Sequence, residues 1–222
     1  MFSSTLIPGF HSYLWRKIGP LVPSNVGIFM KILLPLLFSL IASPSFAQSK
    51  SVRSKNEKTI KLLYNALPEK DFKWRYIVIH HTASEWSSLK RIDRYHRKKF
   101  NDPDGIEYHF LIGNGKKSGR GEIEIARWKL QKGAIHLFKP EGAPNAIAIS
   151  LIGNLHKRNI YKGQYEALLN LVETLMRREK IPIEKVTSHT RVDGNLTVCP
   201  GKKFPFKRFI GDLKKRFESP PK

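Results

Sequence analysis

The chain has a single cysteine, Cys199, and a histidine, His189, stands ten positions before it in the stretch TSHTRVDGNLTVCPG (187–201). Thiolate and imidazole groups are both good zinc ligands, and a catalytic zinc usually has three protein ligands and a fourth position open to water. A connecting loop of this length can bring the two side chains together. A third ligand then has to come from another part of the chain.

Two adjacent histidines, His80 and His81, offer that third ligand. They end the apolar, β-rich part of YIVIHHTAS (76–84), which is typical of a strand buried on both faces. Adjacent side chains of a strand point to opposite faces, so only one of the two histidines would face a given site. The alternative is that both are structural histidines, and it must also explain His189 and Cys199.

A secretory signal is predicted near the N-terminus. Residues 30–47, MKILLPLLFSLIASPSFA, combine a lysine, a short apolar run and small residues, which indicates a signal peptide rather than a buried core helix. We therefore expect an upstream extension at 1–29, translation from Met30, and a mature chain beginning at Gln48. The mature protein should be periplasmic or extracellular, with no stable membrane insertion. In an exported chain an odd cysteine indicates an intermolecular bridge or a thiol kept for chemistry.

The elements that must position these residues alternate between strands and helices. Strands are predicted at 76–79, 106–113, 122–128, 146–153 and 185–189, and helices at 87–100, 164–180 and 206–218. This order predicts an α/β fold in which a mixed central β-sheet is covered by helices. A single domain is expected at 74–218, after a polar, partly helical segment at 48–73.

The composition is that of a basic globular protein. Lys and Arg number 40 against 18 acidic residues, a formal net charge of +22. This surplus favours a polyanionic partner, such as nucleic acid, anionic lipid or an acidic cell-wall polymer. A nucleic-acid-binding protein should carry basic residues among aromatics on a recognised module and no export signal, so we expect no nucleic acid. The basic residues of the helix at 87–100 either bind the partner or cover a solvated face.

Four blocks of the sequence together resemble a known family. YIVIHHTAS, YHFLIG with GR at 119–120, NAIAISLIGN and SHTRVDGNLTVCPG are similar to the successive motifs of the zinc N-acetylmuramoyl-L-alanine amidases, which include the amidase-type phage lysozymes and the peptidoglycan recognition proteins. The resemblance covers residues 74–211. It implies that family's single-domain fold, one Zn²⁺ per chain and peptidoglycan or muropeptides as partner. The implied reaction is hydrolysis of the amide between the lactyl group of N-acetylmuramic acid and L-alanine of the stem peptide.

The resemblance also implies roles for individual residues. The metal ligands would be His80, His189 and Cys199. Tyr108, the tyrosine of YHF, would approach the zinc-bound water, and Thr197, two positions before the cysteine, would be the second catalytic residue. Relatives that bind peptidoglycan without cleaving it have lost the cysteine. Its presence here favours catalysis over the alternative, a non-catalytic peptidoglycan-binding protein.

Two points stay open in the sequence. Relatives often have a GAHA-like stretch in the substrate groove, whereas this chain has KGAIHLF, with Ile135 in the histidine's place and His136 one residue later. His136 either takes that part through a bulge or faces solvent, and 138–144 is predicted as a loop at the groove rim. The proton for the departing amine could come from Tyr108, from the zinc-bound water or from an acid not yet placed.

Overall fold

The computed structural model describes residues 48–64, 73–133, 145–192 and 196–218. The strands are β1 (Tyr76–His81), β2 (Phe110–Ile112), β3 (Ile123–Ile125), β4 (Ala146–Leu151) and β5 (Val186–Ser188). The helices are α1 (Lys50–Tyr64), α2 (Leu89–Phe100), α3 (Lys162–Glu179), α4 (His189–Val192) and α5 (Phe206–Glu218), with 3-10 turns at Arg127–Leu130 and Ile183–Lys185. Within the described ranges no helix has the length and apolar character needed to cross a membrane.

Some predicted features lie outside the described residues. They are the upstream extension at 1–29, the signal peptide at 30–47, the GAHA-like position at Ile135 and His136, and the rim loop at 138–144. Each of them stays a prediction.

The five strands form one mixed sheet in the order β3-β2-β4-β1-β5. β1 pairs in parallel with β4 and with β5, β2 pairs in parallel with β4, and β3 is antiparallel to β2. The predicted α/β class, a mixed sheet covered by helices, is confirmed. Because the carboxyl ends of the four parallel strands share one edge of the sheet, the loops that follow these strands lie together there.

The two faces of the sheet carry side chains of different size. Alternate residues of a strand point to opposite sides, so Ile79 and its neighbours face the main core with α3 and α5. On the other face β4 contributes only the small residues Ala146, Ala148 and Ser150. His80 lies on this second face, in register with Ser150. The small side chains of β4 therefore leave space beside His80 for the groups described below.

Helix α2 packs against part of the second face. Ser88 caps its N-terminus, where the side-chain oxygen accepts the Arg91 N–H, and the helix ends at Asn101 in the left-handed conformation. Ile92 and His96 are its buried residues. The basic side chains predicted on its outer face are all exposed: Arg91, Arg94, Arg97, Lys98 and Lys99.

Strand β2 begins at Phe110 and is shorter than the predicted strand at 106–113. His109 explains the difference, because its Nδ1 accepts the Ala148 N–H at 2.9 Å and its Nε2 donates to the Lys132 carbonyl at 2.8 Å. An imidazole thus occupies a position that a backbone carbonyl would take in a continuing ladder. Tyr108 consequently lies ahead of the regular strand.

Helix α1 lies along β3, at one edge of the sheet. The buried Asn56 accepts the Ile123 N–H at 2.8 Å and donates to the Gly121 carbonyl at 2.7 Å. Gln48 donates to the same carbonyl at 3.0 Å and to the carbonyl of Gly163 at 3.2 Å. The unpaired backbone groups of an edge strand invite pairing with other chains, and here the N-terminal segment binds one such group of β3, the Ile123 N–H, and the nearby Gly121 carbonyl.

Replacing Asn56 with alanine should destabilise the fold. The change leaves the Ile123 N–H without its partner, which costs about 1–3 kcal/mol, while the Gly121 carbonyl keeps its hydrogen bond from Gln48. Urea unfolding of the purified protein measures the loss. Lys58→Ala, an exposed change on the same helix, should stay within about 0.5 kcal/mol of wild type. Equal stability of the two variants would contradict this role of Asn56.

Candidate metal centre

Three side chains that can ligate a metal meet at the end of β1. The ligand atoms of His80, His189 and Cys199 lie within 4.8 Å of one another, and they form the one such group found in the described ranges. Cys199 Sγ is 3.7 Å from His80 Nδ1, and the two imidazole rings have centroids 4.6 Å apart.

This donor set fits a zinc ion. Zinc bonds of about 2.0–2.1 Å to nitrogen and about 2.3 Å to sulfur, at tetrahedral angles, separate the ligand atoms by about 3.3–3.6 Å. The 3.7 Å between sulfur and imidazole nitrogen is close to that range. The structure thus brings together the three residues that the sequence nominated, and their binding of zinc stays a prediction.

Strand pairing delivers the two histidines to the same place. β1 and β5 are parallel, with Ile79 opposite Ser188, so His80 and His189 are the next residues along. His80 is fully buried on the second face of the sheet. His189, predicted at the end of a strand at 185–189, is instead the first residue of α4, because β5 ends at Ser188.

Hydrogen bonds hold Cys199 beside His189. The backbone N–H of Thr190 donates to the Cys199 carbonyl at 2.8 Å, and the Thr190 hydroxyl donates to the same oxygen. The sulfur in turn accepts the His81 N–H at 3.3 Å, which favours the thiolate that a metal requires. Sequence reasoning did not single out Thr190, because a threonine next to a ligand carries no spacing signal.

His81 has a structural role on the other side of β1. Its Nδ1 accepts the Leu155 N–H at 3.1 Å. Burial, together with the neighbouring His156 and His189, lowers the pKa of His81 to about 4, so the ring is neutral at physiological pH. Gly201 packs against the loop after β4, which contains Leu155. Its φ is +105, and a Cβ at this position would lie 2.4 Å from the Leu155 backbone. The two adjacent histidines therefore have different roles. His80 belongs to the cluster, and His81 holds the loop after β4.

Tyr108 and Thr197, the predicted catalytic pair, lie next to the cluster. The Tyr108 ring centroid is 5.3 Å from that of His80 and 5.3 Å from that of the buried His96. Burial and the nearby charge of Cys199 hold the pKa of the Tyr108 phenol well above its ordinary value. The Thr197 hydroxyl accepts the Cys199 N–H at 3.2 Å and can still donate its own proton. Both residues can therefore act as hydrogen-bond donors at neutral pH.

The acidic residues that the sequence left unassigned do not join the cluster. Glu107 is buried, and its N–H donates to His96 Nδ1 at 3.2 Å. Glu122 forms an ion pair with Lys55 at 2.8 Å. Glu124 lies on β3, three strands away from β1 in the sheet, and burial raises the pKa of its carboxyl. None of the three belongs to the cluster of His80, His189 and Cys199.

This chain is similar to known proteins in sequence and in fold. A protein-family model described as N-acetylmuramoyl-L-alanine amidase matches residues 70–202. The solved N-acetylmuramoyl-L-alanine amidase LysC from Clostridium intestinale is 29% identical, with 67% of this chain and 91% of that chain covered and a TM-score of 0.51. Human PGRP-IBETAC, solved in complex with glycosamyl muramyl pentapeptide, is 19% identical, covers 63% and 84% of the two chains at a TM-score of 0.50, and shares the fold. No curated protein sequence matches significantly.

Replacing Thr190 with valine should weaken metal binding. Valine keeps the shape and the backbone N–H but removes the hydroxyl that orients the Cys199 carbonyl. Loss of such an outer partner lowers metal affinity by about 10-fold or more, which competition with a chromophoric zinc chelator measures. Thr190→Ser, which keeps the hydroxyl, should restore the affinity. Zinc binding by Thr190→Val at wild-type strength would contradict this account.

Proposed function

This chain belongs to the N-acetylmuramoyl-L-alanine amidase family, and from that premise we propose that it is a zinc-dependent hydrolase of peptidoglycan. The bond cleaved is the amide between the lactyl group of N-acetylmuramic acid and L-alanine of the stem peptide. The observation that carries the proposal is the convergence of His80, His189 and Cys199. Two neutral imidazoles and one thiolate leave a bound zinc ion with net positive charge, as catalysis requires.

The reaction adds water across the amide. The water oxygen bonds to the lactyl carbonyl carbon, the carbon–nitrogen bond breaks, and the L-alanine nitrogen leaves with a proton. Held by His80, His189 and Cys199, zinc would supply Lewis acidity to polarise the carbonyl and lower the pKa of water. The remaining tasks are to orient the amide and to stabilise the negative charge that develops on its oxygen.

Tyr108 and Thr197 are suited to stabilising that oxyanion. A phenol has an ordinary pKa of about 10, so Tyr108 keeps its proton at neutral pH and can donate a hydrogen bond. Thr197 is held by the Cys199 N–H, so its hydroxyl is fixed relative to the ligand loop. Threonine is a poor acid or base, so its part is donation of a hydrogen bond rather than proton transfer.

The charge of the chain supports a cell-wall substrate. Residues 1–47 contain three basic residues and no acidic ones, so a mature chain from Gln48 would keep 37 basic and 18 acidic residues, or +19. Peptidoglycan carries free carboxylates, and a cationic enzyme is attracted to it more strongly at low salt. We place the mature protein in the periplasm or outside the cell. The alternative of peptidoglycan binding without cleavage shares the fold, and the complete donor set supports catalysis over it.

Cys199→Ser tests the metal assignment together with the reaction. The wild type should carry one zinc per chain and release L-alanyl peptides from purified peptidoglycan, and the variant should lose both properties because it lacks the thiolate. Elemental analysis and detection of new peptide amines measure them, with far-UV circular dichroism to verify folding. A metal-free wild type, or one that binds the wall without releasing peptides, would instead identify a binding protein.

Tyr108→Phe tests the oxyanion assignment separately. The variant should keep its zinc and its KM, while kcat falls by about 10²–10³-fold because one preorganised donor is lost. Steady-state kinetics on a soluble muramyl peptide measure both constants. Tyr76→Phe, which removes a hydroxyl at the amino end of β1, is the matched control and should behave like wild type. A wild-type kcat for Tyr108→Phe would remove Tyr108 from the mechanism.

A further inference from the structure

One tryptophan among the described residues is largely exposed to solvent. Trp86 is 57% exposed, whereas Trp74 and Trp128 are 3% and 1% exposed. It lies on the loop between β1 and α2, six residues after His80. Lys116, from the loop after β2, places its Nζ 4.5 Å from the centroid of the indole ring, and Lys117 Nζ lies 6.0 Å from it. A large apolar ring and two cations therefore share one patch of surface.

The loop that carries Trp86 is fixed by its neighbours. The Glu85 carboxylate accepts the Asn154 N–H at 2.8 Å and the Arg158 Nε–H at 2.7 Å. Asn114 donates to the Glu85 carbonyl at 2.9 Å and to its carboxylate at 3.1 Å. These bonds come from the loops after β4 and β2, so three loops at the carboxyl edge of the sheet hold one another. Trp86 is thus displayed from a preorganised support, which lowers the entropy cost of binding a ligand.

An indole ring together with two ammonium groups favours a ligand that has an apolar ring face and a negative charge. The C–H bonds on one face of a pyranose ring form an apolar surface that packs well against an aromatic side chain. The ammonium groups of Lys116 and Lys117 lie over the indole ring, and their charge favours a sugar that also carries a carboxylate. The Lys116 ammonium forms only a long ion pair with the Glu85 carboxylate, at 3.7 Å. The ammonium can therefore also contact an incoming anion.

The proposed reaction generates such a ligand. Hydrolysis of the muramyl amide converts each lactyl group from an amide into a free carboxylate, so a glycan strand that has been cut becomes an acidic saccharide. We propose that Trp86, Lys116 and Lys117 form a binding site for the glycan strand, with a sugar ring against the indole and a lactyl carboxylate at the lysines. This inference rests on the proposed function for the source of the carboxylate. The site keeps the enzyme on strands from which it has already removed peptides.

Binding of peptide-free glycan tests the inference without turnover, because such strands contain no amide to cleave. The purified wild-type protein should bind oligosaccharides of alternating N-acetylglucosamine and N-acetylmuramic acid with free lactyl groups more tightly than chitooligosaccharides of equal length. Trp86→Ala should weaken this binding by about 10-fold or more, as expected for an exposed aromatic anchor. Lys116→Gln/Lys117→Gln should remove the preference for the acidic saccharide and reduce the salt sensitivity of its binding. Isothermal titration calorimetry at two salt concentrations provides these values.

Two control variants make the result specific. Lys214→Gln/Lys215→Gln removes the same charge from an exposed pair on α5, and Phe217→Ala removes another exposed aromatic ring. Both controls should bind the acidic saccharide as the wild type does. Absence of binding by the wild type would overturn the inference. Equal losses in the control and test variants would overturn it as well.

The outcome also separates this inference from the proposed function. Trp86→Ala should hydrolyse a single soluble muramyl peptide at the wild-type rate, because that substrate has no free lactyl carboxylate and Trp86 has no part in the proposed reaction. If the protein lacks amidase activity but binds the acidic saccharide through Trp86, the proposed function fails and the binding site stands. If it is active but binds peptide-free glycan equally well with and without Trp86, the binding site fails and the function stands.

Discussion

The parallel pairing of β1 with β5 is the interaction on which the candidate metal centre depends. Its register sets Ile79 opposite Ser188, so the next residues, His80 and His189, meet where the strands end. A shift of one residue would turn His81 toward the cluster and His80 into the core, because neighbouring side chains of a strand face opposite sides. Cys199 is held next to His189 because the Thr190 N–H donates a hydrogen bond to the Cys199 carbonyl. The convergence of the three candidate ligands is therefore a consequence of sheet register.

The difference between the two faces of the sheet gives the cluster its surroundings. Large aliphatic residues on one face build the core with α3 and α5, which fixes the sheet as a rigid support. Small residues of β4 on the other face leave space next to His80. Tyr108 reaches that space because His109 ends the ladder early by accepting a backbone N–H. One structural histidine thus frees the neighbouring tyrosine for the site.

The sequence predicted the parts of the fold that depend on local pattern. The apolar runs of β1 and β4 and the spacing in α3 and α5 were sufficient to locate those elements and the α/β class. The pattern could not decide between His80 and His81, since both follow the same apolar run, and only the resemblance to a family chose between them. The early end of β2 and the part of Thr190 depend on hydrogen bonds between distant residues. Such bonds leave no periodic trace in the sequence.

X-ray absorption at the zinc edge of the purified, dialysed protein tests the central claim most directly. The account predicts tightly held zinc with one sulfur at about 2.3 Å and nitrogen or oxygen atoms at about 2.0–2.1 Å. The sulfur contribution identifies the site without ambiguity, because Cys199 is the only cysteine of the chain. A zinc shell of nitrogen and oxygen alone would contradict the account. So would a protein that hydrolyses the muramyl amide after all its metal has been removed.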